Sequence, residues 1–175
     1  MTARKRLLGR IDGLARERDA LLARLEEVDA ERITTPPESG VWSVAQVVEH
    51  MIIAEEYCQL AHVPMEQLEA RPQSLRKRLV YELVVLILKG PIRVSTPVED
   101  MDPEGTLSLH ELAERWRASQ ARMADVVQTI KNPARDAVFR HPVAGPMTPA
   151  QAIRMLEAHQ RRHIEQIEAR LARST

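Results

Sequence analysis

The stretch EAHQRRHIEQI, residues 157–167, sets His159 and His163 four residues apart among charged neighbours. On an α-helix that spacing brings two side chains to one face with Cβ atoms about 5–6 Å apart, so both rings can reach one ion. Zinc takes imidazole nitrogen at about 2.0–2.1 Å, and a shared ion would satisfy two rings at once. The competing reading is a pair of core histidines hydrogen-bonded to backbone or to a glutamine. The residue after His159 is Gln160, where a zincin carries its glutamate base, so metalloprotease chemistry is not expected.

The helix that must carry this pair starts at Thr148, an N-cap followed by Pro149 at the first helical position and Gln151 to close a capping box. At ~100° per residue from Thr148, the side chains of Ala152, Ile153, Leu156, Ile164, Ile167 and Leu171 fall between roughly 40° and 160°. Arg154, Glu157, Arg161, Glu165 and Glu168 fall on the wet side, between roughly 180° and 260°. His159 and His163 land near ~20° and ~60°, at the edge of the apolar arc. Burying an imidazole without partners costs about 1–3 kcal/mol, so two side by side need a compensating arrangement.

A third imidazole lies on another helix. Ser43 with Gln46 makes a capping box, and Trp42 before the cap faces Val47 as a hydrophobic staple. The helix so started is expected to run to about Val63, ahead of Pro64. His50 sits at the flank of its apolar arc, Val44, Val47, Val48, Met51, Ala54 and Cys58, where it can look into a bundle beside the last helix. His62 is expected near the helix end, where a cationic tip is favourable. His110 is expected in the exposed first turn of a later helix, and His141, before Pro142, is a loop residue able to support the site from behind. Gln166 lies beside His159 on the wheel and can orient a ligating ring or fill a gap in the core. Cys58 sits in an apolar arc with no activating cation, a poor setting for a nucleophile.

The remaining elements follow from apolar periodicity. Leu7, Ile11, Leu14, Leu21, Leu25 and Val28 predict one amphipathic helix over 4–29. Another is expected over 74–89, ending at Gly90-Pro91. The seventeen residues PIRVSTPVEDMDPEGTL, 91–107, show no periodicity, and connections that long are often functional or covering flaps. A helix capped by Ser108 and Glu111 follows, with a seam from Leu109 to Ile130. The loop ARDAVFRHPVAGPM leads to the last helix, and no internal repeat or strand pair is expected. Five helices with short or medium links predict one all-α domain over residues 1–175, an antiparallel up-down four-helix bundle with one additional short helix.

Composition limits the function classes. The chain has 25 Lys and Arg against 25 Asp and Glu, interleaved, with zero net charge; nucleic-acid binding is not expected. The longest apolar run, LVYELVVLIL, contains Glu82 and is too short to span a bilayer. No apolar core follows the basic start MTARKRLLGR, and a lone cysteine allows no intrachain disulfide, which together suggest a reducing cytoplasm. No glycine-rich phosphate loop, nucleotide fingerprint or acidic catalytic pair is present.

Two stretches carry a resemblance. VWSVAQVVEHM (41–51) has a tryptophan, a helix start and a histidine eight residues after the tryptophan, and HPVAGPMTPAQAIRMLEAHQRRHIEQI (141–167) has a proline- and glycine-containing lead-in before HxxxHxxQI. With the helix order, these make the chain similar to the DinB/YfiT-like family of small metal-binding four-helix bundles. The resemblance implies a three-histidine metal site at His50, His159 and His163, and often a homodimer. Some such proteins are thiol-dependent transferases using a low-molecular-weight thiol, and others are proposed hydrolases. Three imidazoles leave positions open on a divalent ion, as catalytic sites do. Nitrogen-only ligation suits zinc or nickel, with iron or copper as alternatives. The expected function is metal-assisted attack of thiolate or hydroxide on a small organic substrate. The alternatives are a non-catalytic metal-binding module and a helical dimerisation protein.

Overall fold

The computed structural model describes residues 2–90 and 101–173. Of the seventeen-residue connection expected from Pro91, residues 91–100 lie outside the described residues, as does any cover they could give the site. Among the described residues there are six α-helices: α1 (Ala3–Glu26), α2 (Ala30–Thr34), α3 (Val44–Cys58), α4 (Leu75–Lys89), α5 (Leu109–Thr129) and α6 (Pro149–Arg173). A short antiparallel hairpin, β1 (Phe139–His141) and β2 (Gly145–Met147), precedes α6.

The caps read from the sequence are made. Ser43 Oγ accepts from Gln46 N at 3.1 Å while Gln46 Oε1 accepts from Ser43 N at 2.8 Å. Ser108 and Glu111 repeat the exchange, as do Thr148 and Gln151. Two helix boundaries and one hairpin differ from expectation. The first helix breaks after Glu26 because Asp29 caps a new turn, its Oδ1 accepting from Glu31 N at 2.8 Å. α3 stops at Cys58, five residues before Val63, in a Schellman turn: Ala61 N donates to Glu56 O and Leu60 N to Tyr57 O. Leu60 holds the left-handed position at φ 53°, where glycine is usual. The hairpin was not expected; its strands are three residues long and one contains Gly145 and Pro146, too little for an alternating pattern to register. Phe139 and Met147 pair across it and are buried.

Side-chain contacts fix the helix directions. Arg4 reaches Val127 O and Ile130 O while Arg18 reaches Gln120, so α1 and α5 run oppositely. Arg10–Glu157 and Arg24–Glu168 make α1 and α6 parallel. The long helices therefore alternate in direction along the chain, up-down throughout. α1 and α3 each pack on both α5 and α6, closing a four-helix ring, and α4 lies outside it against α6. Displacing α4 outward makes α3 and α5 parallel neighbours, which is why so long a connection separates them.

Two apolar clusters fill the ring. One, toward the start of α1, joins Leu7, Ile11, Leu14, Met123, Val126, Phe139, Ile153 and Leu156. The other joins Leu21, Leu25, Val47, Val48, Ile52, Leu112, Trp116 and Ile167. Buried polar groups, among them Arg18, Glu55, Gln59, Ser119, Gln120 and Gln160, lie between. No described helix is long and apolar enough to cross a membrane.

Candidate metal centre

The capping box that starts α3 sets its rotation, and His50 at its seventh position turns inward against α6, 6% exposed. On α6, His159 and His163 occupy the edge of the apolar face and are half-buried. The three rings meet. Their centroids are 5.2 Å apart for His50–His159, 5.1 Å for His50–His163 and 4.5 Å for His159–His163. Each offers one nitrogen such that all three lie within 4.8 Å of one another, so this trio could hold a metal ion. A tetrahedral ion with bonds of about 2.0–2.1 Å needs donors about 3.4 Å apart. Closing that difference requires small side-chain rotations.

The outward nitrogens are already committed. His50 Nδ1 lies 3.3 Å from Met101 O, and since a carbonyl only accepts, Nδ1 carries the proton. His163 Nδ1 lies 2.9 Å from Gln166 Oε1 and donates likewise. In both rings Nε2 then keeps the lone pair that a cation requires. An outward N–H tied to a carbonyl or amide is the support that ligating histidines usually have. Burial lowers the pKa of His50, of His159 and of His163, the last to about 4, and the neighbouring imidazoles push His159 and His163 further down. All three are neutral at neutral pH, the form that ligates without a proton to displace. The residues present fit a divalent ion.

Gln166 thus takes the supporting position, and three further groups emerge that sequence reasoning did not assign. Trp42, read as a staple, packs its ring against that of His50, tilted by 42° with centroids 4.8 Å apart. Arg170 donates to Trp42 O at 2.6 Å, and Arg162 donates to Ile87 O and Gly90 O at the end of α4. Both arginines lower the His163 pKa. His159, His163, Gln166 and Arg170 follow i, i+4, i+7, i+11, a stripe the helical wheel contains. The Met101 carbonyl left no signal, because backbone groups have no residue type.

His62 and His110 stay apart from this trio, whereas His141 lies near enough to lower the His159 pKa. His62 lies beyond the end of α3, exposed, on a groove bounded also by Glu49, Glu56 and Arg115. His110 is exposed and faces Glu114 at 3.5 Å. His141 Nδ1 accepts from Val143 N and Ala144 N, both at 3.1 Å, closing the hairpin turn. Burial lowers its pKa to about 4. Cys58 is buried, and burial raises its thiol far from the thiolate range. Gln160, between the two α6 histidines, turns away to Leu14 O of α1 at 3.1 Å.

A family model described as the DinB superfamily matches residues 13–167, a span that contains all three converging histidines. The chain belongs to the DinB superfamily. It is also similar to TT2238, a crystal structure described as a four-helix bundle protein. The two are 21% identical, with a TM-score of 0.51 over 95% of this chain and 99% of that one. At that identity the likeness shows the fold. A search among curated proteins finds no match. For this DinB-superfamily chain, the bundle provides one seam, α3 against α6, at which three like groups meet with their outward nitrogens held.

Proposed function

We propose that the chain is a divalent-metal-dependent enzyme that activates a thiol or water nucleophile at His50, His159 and His163 against a small organic substrate. The reaction is of thiol-dependent transferase or hydrolase type. One observation carries this reading: three neutral imidazoles from two helices converge, and two of them are oriented by hydrogen bonds at the far ring nitrogen. What a bound ion supplies is Lewis acidity, which lowers the pKa of a thiol or water so that the nucleophile forms near neutral pH. His50, His159 and His163 would hold it, and because they are few they leave room for a further ligand. Met101 O and Gln166 fix the His50 and His163 rings, and Trp42 closes the side of the site next to His50. Cys58 takes no part, and Gln160 faces α1. The proton released when the thiol or water ionises would pass to solvent, and zinc or nickel are the best-suited ions.

The test is elemental analysis of untagged protein, followed by assays of low-molecular-weight thiol consumption and ester hydrolysis. About one divalent ion per chain, removed by His159→Ala, is expected. Unchanged metal content in that variant would refute the site. A second reading, an ion that only pins α3 to α6, rests on the same geometry. It predicts a large loss of thermal stability on chelation and no turnover with any thiol or ester.

A further inference from the structure

His50 Nδ1 gives its proton to the carbonyl of Met101, which belongs to a connection and not to a helix. Such a carbonyl stays in place only where something holds the connection. Here the segment 101–105 lies on the first two turns of α3. Besides the His50–Met101 contact, the backbone N–H of Gly105 donates to Glu49 Oε2 at 2.7 Å. Gly105 adopts φ +73°, and a Cβ there would stand 2.9 Å from Gln46 Cγ. Gln46 is not free to swing aside, because its Oε1 accepts from Ser43 N in the capping box. Glycine is therefore needed twice at this position, for the left-handed backbone and for the close approach. Gln46, Glu49 and His50 together fix the register of the segment on α3.

Glu49 is the member that needs a reason. Its side chain is 5% exposed, and a buried carboxylate is costly unless it is hydrogen-bonded. Arg115 does not account for it. That guanidinium spends its fork on Glu56, Nε to Oε1 at 2.9 Å and Nη2 to Oε2 at 2.6 Å, and its Nη1 stands 3.9 Å from Glu49 Oε1. The short bond of Glu49 is the one to Gly105, and a backbone N–H on a carboxylate is of the stronger, charge-assisted kind. We propose that Glu49 is a positioning residue for the imidazole trio. Through Gly105 it holds the segment 101–105 so that Met101 O keeps the His50 proton on Nδ1 and leaves the lone pair on Nε2. That this lone pair serves a cation rests on the metal reading; that Glu49 sets the tautomer does not.

Heteronuclear NMR of the imidazole nitrogens, recorded in chelator at neutral pH, reads the tautomer without any ion. The His50 resonances are assigned by their loss in His50→Gln. Wild type is expected to carry the His50 proton on Nδ1, whereas in Glu49→Ala it should move to Nε2 or average between the two nitrogens. Glu49→Gln, whose amide oxygen can still accept from Gly105 N, should match wild type. Zinc titration of the same chains should show a loss of about 10–100-fold for Glu49→Ala, as for other groups that support a ligand, with most of the affinity kept by Glu49→Gln. Gly105→Ala lies outside α3 and displaces the segment by its Cβ, so it should behave as Glu49→Ala does. It carries the test if Glu49→Ala loses its helical circular dichroism. An unchanged His50 tautomer in the folded Glu49→Ala or Gly105→Ala chain overturns the proposal, and so does a Glu49→Gln chain that behaves as Glu49→Ala. A wild type that takes up no zinc while the variants still shift the tautomer defeats the metal reading and upholds the role of Glu49.

Discussion

Two polar clusters interrupt the apolar packing of the bundle, and they are built on opposite plans. The first joins α1, α3 and α5. The Glu55 carboxylate accepts from Trp116 Nε1, Ser119 Oγ and Gln120 Nε2, all at 3.1 Å; Gln59 donates to Ser119, and Arg18 donates to Gln120 Oε1 at 2.8 Å. The second is the imidazole trio between α3 and α6. In the Glu55 cluster three donors meet one carboxylate, so the protein answers most of its own polarity, with Gln59 Oε1 left without a partner among the described residues. In the imidazole cluster three identical groups face one another, each with a lone pair and none with a complementary donor aimed at all three. A buried network that satisfies itself specifies structure. A cluster of like acceptors could hold a metal ion. Cutting each cluster separately tests that distinction.

The largest effect is expected at Glu55. Replacing it with Ala leaves the Trp116 N–H, Ser119 and Gln120 without their acceptor, while Arg18 keeps its pair with Asp19. Leaving these buried donors unsatisfied costs about 1–3 kcal/mol each, to be read as a lowered denaturation midpoint. Metal content per folded chain should not change. A Glu55→Ala chain of normal stability that lost its metal would reverse the assignment of the two clusters.

His159→Ala should do the converse. With two donors left from three, affinity for zinc or nickel should fall by more than ~100-fold, beyond the 10–100-fold typical of losing a supporting group. Stability of the chelated chain should stay within about 1 kcal/mol, since the ring is only half-buried and satisfies nothing else. Isothermal titration with the metal and denaturation in chelator separate the two quantities. A large stability loss without the ion would show that the imidazoles are structural.

The two clusters also differ in how far the sequence discloses them. The trio was legible because its members repeat a type at helical spacing, and because Ser43 and Thr148 fix the rotation of α3 and α6 through their capping boxes. The Glu55 network was not. Glu55, Ser119 and Gln120 are ordinary surface residue types, and only the parallel approach of α3 and α5, set by the outward displacement of α4, brings them face to face. Helices and caps were read to within a few residues where side-chain chemistry marks them. They were missed where the backbone alone decides, as at Leu60, where a left-handed turn ends α3 without a glycine to announce it, and at the three-residue strands.

Gln166→Ala sharpens the comparison inside the trio. Removing the acceptor of the His163 N–H frees that ring to turn and to change tautomer, and a loss of about 10–100-fold in metal affinity is expected. Gln166→Glu, which keeps the acceptor, should retain most of the affinity. If Ala and Glu behave alike, the hydrogen bond at 2.9 Å does not position the ring.

The smallest effect is a difference in pH dependence between the clusters. Burial raises Glu55 to about 7, outweighing its donors and Arg18. The folded chain therefore binds a proton more tightly there than the unfolded chain does. The stability this gives is complete below the unfolded carboxylate range and is lost as pH rises toward 7. Imidazoles lowered by burial act with the opposite sign: for His141 and His163, both near 4 when folded, stability is complete above the ordinary histidine value and is lost as pH falls toward 4. In chelator, Glu55→Gln removes the first contribution and leaves the second. The stability of wild type relative to Glu55→Gln should then decline between about pH 4.5 and 7, by at most about 1.4 kcal/mol per pH unit. A relative stability that rises over that interval would mean that Glu55 stays ionised when folded, held by three donors and an arginine against the pull of burial.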